Sequence, residues 1–340
     1  MHALLFNEDK RPIRIVTVDA REDVVGRYFS DAFYKIPKAN DDRFIENILK
    51  ICEIEKIDVI IPQVTRELMV FAENAHLFHK RGIKITIMDK NILKIVNNKY
   101  LLLKEFSKLG YKQGQFKLIR SKNELLQFAK DVGYPEKRFV VKLPVSNGMR
   151  GLRIITSEQL SLEKFINEKP SGEFANLESI LQLFEQGELE LLAMEYFPGK
   201  EYTVDVYRSP LTKEVIVIPR SRDVIRTGIT FEGRLIKDKN MIKMAKDLAK
   251  NLDMIYTFGF QFKLDEHGAP HLLECNPRVQ GTMIMSVLGG ANMIYWAVKE
   301  ALGEPVNLKN VNIKWGLVFK RYWGGIAIHD GETQKILENC

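Results

Sequence analysis

The sequence predicts an α/β fold of two or three packed units, with a parallel-sheet domain at the N-terminus. Three observations predict it. Over residues 13–87, apolar runs of strand length alternate with segments of helical period, the pattern of parallel strands joined by crossover helices. From residue 139 onward, strand pairs recur at 139–156, 191–206 and 259–274, each joined by a turn or a glycine-bearing loop. The chain has 340 residues, 45% hydrophobic and 28% charged, which exceeds one average domain and suits two or three packed units.

The elements follow in order. Met1-His2-Ala3-Leu4-Leu5-Phe6 reads as a short helix, 13–19 as a strand, 42–55 as an amphipathic helix, 59–62 as a short buried strand, 65–81 as a helix and 83–87 as a strand. A new block begins near Asn91, with helix 99–109, strand 116–120, helix 122–132 and strand 139–143. Residues 144–151 form a loop and 152–156 a strand, whereas 170–190 carry no strong motif and suit a helical insertion with a loop. A strand from Leu191 turns at Pro198-Gly199 and returns through Val206. Helix 239–251 leads into the hairpin at 259–274, and beyond Gly281 the set Ile284, Val287, Leu288, Ile294, Ala297 and Val298 is helical. Residues 315–328 read as strand and turn, and no internal repeat is visible.

The chemistry concentrates in three clusters. In Leu272-Leu273-Glu274-Cys275-Asn276-Pro277-Arg278, strand alternation puts Glu274, Asn276 and Arg278 on one face, with Cys275 turned inward and Asn276 held extended before a proline. Gln261, on the preceding strand of the hairpin, adds a third oxygen donor. Hard oxygen ligands of this kind suit magnesium, an ion normally completed by substrate phosphates; a merely wetted edge strand is the plain alternative. In the second cluster, Phe139-Val140-Val141-Lys142-Leu143 places a lysine inside an apolar strand, where an unpaired ammonium is costly and points to a nearby anion or to solvent. The following loop, with Ser146, Asn147, Gly148 and Gly151, lets backbone amides approach phosphate oxygens or serves as a plain hairpin loop. It matches neither a dinucleotide fingerprint nor a P-loop. In the third cluster, Glu201, Thr203 and Asp205 share one parity after the Pro-Gly turn; a carboxylate there could take ribose hydroxyls, and an exposed strand face is the commoner explanation.

Taken in this order, the clusters resemble the ATP-grasp superfamily, most closely the ATP-grasp module of the carbamoyl-phosphate synthetase large subunit, over nearly the whole chain. The resemblance implies an N-terminal Rossmann-like pre-ATP-grasp domain at 1–95, grasp lobes at 96–190 and 191–315, and a tail at 316–340. Such N-terminal domains open with a strand and a glycine turn, whereas this chain begins on what looks like the helix after that turn. It further implies that Lys99 and Lys142 reach phosphates, that Ser146, Asn147, Gly148 and Gly151 close over them, and that Met194, Glu195 and Phe197 hold the adenine with Glu201 on the ribose. Gln261, Glu274 and Asn276 would hold magnesium, with manganese as an alternative ion, and Arg278 with Arg226, which precedes Thr227-Gly228, would face the transferred phosphoryl group.

The function implied is an ATP-dependent carboxylate–amine or carboxylate–ammonia ligase that proceeds through an acyl phosphate. The alternatives are carbamoyl phosphate synthesis, biotin-carboxylase-like carboxyphosphate chemistry, for which Val279-Gln280-Gly281-Thr282 lacks the acid and histidine expected, and a non-catalytic ATP-binding protein. Partners would be small molecules; a homodimer stays open, since similar ligases often pair but no self-complementary face shows in the sequence.

Composition excludes other classes. Cys52, Cys275 and Cys340 show no C-x-x-C pairing, which argues against a disulfide framework or structural zinc. His76 and His79 lack acidic or cysteine companions and read as surface residues. The net charge of +7 is spread over short runs such as Arg220-Ser221-Arg222 without a nucleic-acid motif, so no nucleic acid is expected as a partner. No apolar run approaches a membrane span, and cytoplasm is the default location.

Overall fold

The N-terminal alternation is present. Helix α1 (His2–Leu5) precedes β1 (Val16–Asp19) and β2 (Ala32–Lys35), followed by α2 (Phe44–Glu55), β3 (Val59–Ile60), α3 (Thr65–His79) and β4 (Lys84–Ile85). β1 pairs with β2 and β3 with β4, both in parallel. The computed structural model describes every residue except 147–149, 160–171, 227, 323, 330–331 and 336–340, and describes only the backbone of 332–335.

The next block holds α4 (Lys90–Val96), α5 (Lys99–Lys108), β5 (Phe116–Ile119), α6 (Lys122–Val132), β6 (Phe139–Lys142), β7 (Arg153–Ile155), β8 (Phe174–Ala175), α7 (Leu177–Leu183) and β9 (Leu191–Glu195). The helix starts have local causes. Asn98 accepts a bond from Leu101 N, and Ser121 one from Glu124 N, so side-chain oxygens satisfy first-turn donors. α6 stops at Gly133, whose φ of 88° is a left-handed C-terminal position suited to glycine. The expectation of a helix and loop alone at 170–190 needs correction, because Phe174–Ala175 adds a parallel strand to β7.

Then come β10 (Glu201–Arg208), β11 (Val215–Ser221), β12 (Val224–Arg226), β13 (Ile229–Arg234), α8 (Lys239–Asn251), β14 (Tyr256–Leu264) and β15 (Pro270–Asn276). The chain closes with α9 (Ile284–Leu288), α10 (Met293–Ala301), a 3-10 turn at Leu308–Asn310, β16 (Val318–Lys320), β17 (Ile326–His329) and β18 (Glu332–Lys335).

Contacts divide the chain into two compact units, one of residues 1–93, 203–259 and 276–340, the other of 94–202 and 260–275. The linear division at 95, 190 and 315 follows motifs rather than contacts. In the first unit, Phe44, Ile48, Phe71, Phe78 and Ile85 form one apolar cluster and Tyr207, Ile218, Leu235, Met293 and Trp296 another. The second unit is organised by the sheet β5-β9-β6-β7-β8. Phe139, Val141, Ile155, Leu191 and Ala193 pack on α6 residues Leu125 and Phe128. Alternation then turns Val140 and Lys142 to the other face, where register sets them opposite Met194 and Leu192.

The face of Thr203 and Asp205 is buried, which corrects the exposed-face reading. Asp205 accepts from Arg220 Nε at 2.9 Å, from Arg220 Nη2 at 3.2 Å and from Ser286 Oγ at 2.7 Å, and Asp205 and Arg220 are 0% exposed. Arg220 is therefore an interior cation rather than part of a surface basic run. Among the described residues no helix is long and apolar enough to cross a membrane.

Candidate functional site

The second unit brings two buried lysines to one strand end. Lys99 opens α5, where its backbone N bonds Pro144 O at 2.8 Å, and its Nζ donates to Ser146 O and Oγ, both at 3.1 Å. The same Nζ lies 3.7 Å from Glu274 Oε2. Lys142 projects from the non-core face of β6 and donates to Leu273 O at 2.9 Å. Lys99 is 5% exposed and Lys142 4%, so two ammonium groups are withdrawn from water beside one carboxylate that is itself 20% exposed.

Burial pulls Lys142 down to about 8, partly countered by Glu274, reinforced by the like charge of Lys99 and opposed again by Glu201. The shift ties Lys99, Lys142, Glu201 and Glu274 into one electrostatic group. Among the described residues, Lys142 has one acceptor for three N–H donors. A multiply charged anion would satisfy the rest, so the donor set fits a phosphate chain.

The strand carrying Glu274 is fixed by side chains. Gln113 donates to Leu272 O at 2.9 Å and accepts from Leu272 N at 3.1 Å. Asp265 N bonds Ala269 O and Gly268 N bonds Asp265 O, closing the turn between β14 and β15. Gln261 is half-buried on β14, and Glu274 and half-buried Asn276 lie two residues apart on β15. Cys275 between them is buried, as expected. Among the described residues no group of three His, Cys, Asp or Glu side chains could hold a metal ion. Within the second unit, the Glu274 carboxylate and the Gln261 amide oxygen are donors of the hard oxygen type that a divalent ion takes, whereas Asn276 falls in the first unit.

On β9, Met194 is buried and Glu195 Oε2 accepts from Gln115 N at 3.0 Å. Phe197 stacks on His271 with centroids 4.1 Å apart and planes 11° apart, and Asp265 bonds the His271 Nε2 at 3.0 Å. Gly114 sits where a Cβ would come within 2.7 Å of both Glu195 Oε2 and Phe197 Cζ. Gly151 has φ of 73°, and a Cβ there would approach Leu143 Cγ to 2.7 Å, so this end of the loop requires glycine. Asn147 and Gly148 lie outside the described residues, as does Thr227.

The arginines belong to the first unit. Arg278 donates through Nη1 to Val279 O at 2.8 Å, and its Nε is 3.4 Å from Thr65 Oγ1 at the start of α3. Exposed Arg226 ends β12 with its guanidinium 4.9 Å from the Phe231 ring centroid. Sequence reasoning missed Gln113, Gly114, His271 and Asp265. Only the glycine flanked by two glutamines just before a strand offered a signal.

Comparison with known proteins gives two family matches. Residues 188–321 match the family described as ATP-grasp in the biosynthetic pathway with Ter operon, and residues 3–86 match the PylC-like N-terminal domain. The chain is 25% identical over 289 residues to the carbamoyl phosphate synthase large chain of Clostridium acetobutylicum, covering 79% of this chain and 25% of that protein. It thus spans about a quarter of the length of the curated relatives it matches first. The fold is similar to that of biotin carboxylase from Campylobacter jejuni, solved with beta-gamma-ATP (TM-score 0.68, 18% identity, 88% of this chain and 67% of that one). It is also similar to the ADP complex of purK, N5-carboxyaminoimidazole ribonucleotide synthetase (TM-score 0.66, 16% identity, 88% and 73%). These likenesses bear on the fold, an α/β architecture of the ATP-grasp type with a PylC-like N-terminal domain earlier in the chain.

Proposed function

We propose that this chain, which carries an ATP-grasp domain preceded by a PylC-like N-terminal domain, is an ATP-dependent, ADP-forming ligase that joins a small carboxylate to an amine or ammonia. The observation that carries the reading is the convergence of the Lys99 and Lys142 ammonium groups on the segment Leu273-Glu274. In this proposal both lysines bind the triphosphate and neutralise charge on the transferred phosphoryl group, which needs electrostatic stabilisation and in-line positioning more than covalent help. Ser146, Asn147, Gly148 and Gly151 cover it. Met194, Glu195 and Phe197 hold the base and Glu201 the ribose, with Phe197 braced by His271. Glu274, Asn276 and Gln261 would hold magnesium, which supplies charge neutralisation to the phosphates.

The substrate carboxylate attacks the γ-phosphorus, forming an acyl phosphate and releasing ADP. The amine nitrogen then attacks the acyl carbon, the C–O bond to the phosphate breaks with its electron pair departing on inorganic phosphate, and the nitrogen releases a proton to solvent. Arg278 and Arg226 are assigned to the developing phosphoryl charge. A homodimer and a cytoplasmic setting accompany this reading as proposals.

The test is a panel of carboxylic acids, bicarbonate among them, crossed with amines and ammonia, read as ADP release with mass identification of product. Glu274→Gln should lower magnesium-dependent turnover by about 100-fold or more, in the range for loss of a group that orders transition-state charge. If the wild type binds ATP yet releases no ADP across the panel, the ligase reading fails in favour of a non-catalytic nucleotide-binding protein.

A further inference from the structure

The first unit carries a lysine-rimmed concavity that the ligase chemistry leaves unused. Lys213, Lys246, Lys250 and Lys309 line an open cleft of about 410 Å³ together with Glu214 and the buried Leu308. The four lysines come from three segments. Lys213 lies in the turn between β10 and β11, Lys246 and Lys250 sit one turn apart on α8, and Lys309 belongs to the 3-10 turn.

Each segment is anchored from behind. Ser209 Oγ accepts from Leu211 N at 3.2 Å and Thr212 N at 2.8 Å while donating to buried Glu300 at 2.9 Å, which fixes the β10–β11 turn. α8 is seated by buried Met241, Ala245, Leu248 and Ala249. Asn307 accepts from Lys309 N at 3.1 Å and holds the third segment.

Local carboxylates do not balance this charge. Lys213 Nζ is 3.8 Å from Asp253 Oδ1, but that oxygen already takes Arg208 Nη1 at 2.6 Å. Lys309 Nζ is 3.9 Å from Glu214 Oε1, beyond hydrogen-bonding distance. Lys246 and Lys250 have no ion-pair partner among the described residues and carry like charges at neighbouring helix positions. Lys213 further holds φ of 63°, a left-handed conformation that glycine or asparagine would adopt at less cost.

We propose that this cleft is a binding site for a small polyanion, a ligand bearing two or more phosphate or carboxylate groups. Its volume lies within the roughly 300–1,000 Å³ of small-molecule sites. The lysines converge on a concavity instead of following an extended track, which favours a compact ligand over a polynucleotide backbone.

The test is calorimetric titration of the full chain with inorganic tripolyphosphate and, separately, citrate, which distinguishes phosphate from carboxylate recognition. The wild type should bind at least one of them with a component of one equivalent that persists in Lys142→Met. Lys246→Ser with Lys250→Ser, and independently Lys213→Ser, should weaken that binding at least tenfold, while Lys239→Ser with Lys243→Ser, on the same helix but outside the cleft, should leave it within twofold. ADP-forming turnover should be unchanged in the cleft variants. The proposal is overturned if neither anion binds saturably, if the Lys239/Lys243 variant loses as much affinity as the cleft variants, or if Lys142→Met abolishes the binding, which would locate it at the nucleotide site.

Discussion

Replacing Lys142 by methionine should stabilise the protein and weaken nucleotide binding at once. Burial lowers the folded-state pKa of Lys142 from 10.5 to about 8, so keeping it charged at pH 7 costs roughly 3 kcal/mol, taking about 1.4 kcal/mol per unit. Methionine removes that cost but leaves Leu273 O without its donor, a loss of about 1–3 kcal/mol. The net expectation is a gain on the order of 1 kcal/mol, or a few degrees in apparent Tm. The pH dependence carries a definite sign. Below pH 8 both folded and unfolded chains hold the proton and the cost is full; between about 8 and 10.5 the unfolded chain binds more protons, so wild-type stability rises with pH. Scanning fluorimetry from pH 7 to pH 10 should therefore show the advantage of the variant shrinking as pH rises. Isothermal titration at pH 7 should show ATP affinity falling by roughly 10- to 100-fold, the value of one charge-assisted bond. Near pH 8.5, ATP binding to the wild type should take up protons, seen as heats that depend on the buffer. A stability gap that is constant with pH, or a destabilised variant that keeps its ATP affinity, would refute the reasoning.

Other outcomes are expected in the same molecule. Asp205→Ala strands the fully buried Arg220 and should cost about 3–5 kcal/mol by denaturant unfolding, whereas adding Arg220→Met should recover most of the loss. Gly114→Ala should cost about 1–3 kcal/mol, because its Cβ collides with Glu195 and Phe197, and should raise the Kd for ATP as well. The carboxyl of Asp265 is held at about 2, chiefly by its bond to His271. Its stabilisation is present above the ordinary value of 3.8 and is lost as pH falls through about 2, so Asp265→Asn should flatten the acid limb of a stability–pH curve between 4 and 2.

Much of this molecule was legible in the chain because its signals are local. The helices read at 99–109, 122–132 and 239–251 are present within a residue or so of those bounds, and the Lys142 strand stands out because an ammonium interrupts an apolar run. Glu274 and Asn276 could be paired by strand period alone. What escaped depends on distant pairings. Asp205 looked like a surface acid because its partner Arg220 lies fifteen residues away on another strand, in what read as a basic run. Gln113 meets Leu272 across 159 positions, and no periodicity encodes that contact. Phe174–Ala175 is too short to carry a strand signature of its own and forms by pairing with β7.

β15 lies at the outer margin of its four-stranded sheet, where an exposed ladder of amides would invite a foreign chain. The Gln113 carboxamide occupies both groups of Leu272, donating to one and accepting from the other as a neighbouring peptide unit would. One side chain thus stands in for an absent strand. Position 113 therefore ties the chain ahead of β5 to this margin, so that the hairpin end next to Glu274 is braced across 159 positions of sequence.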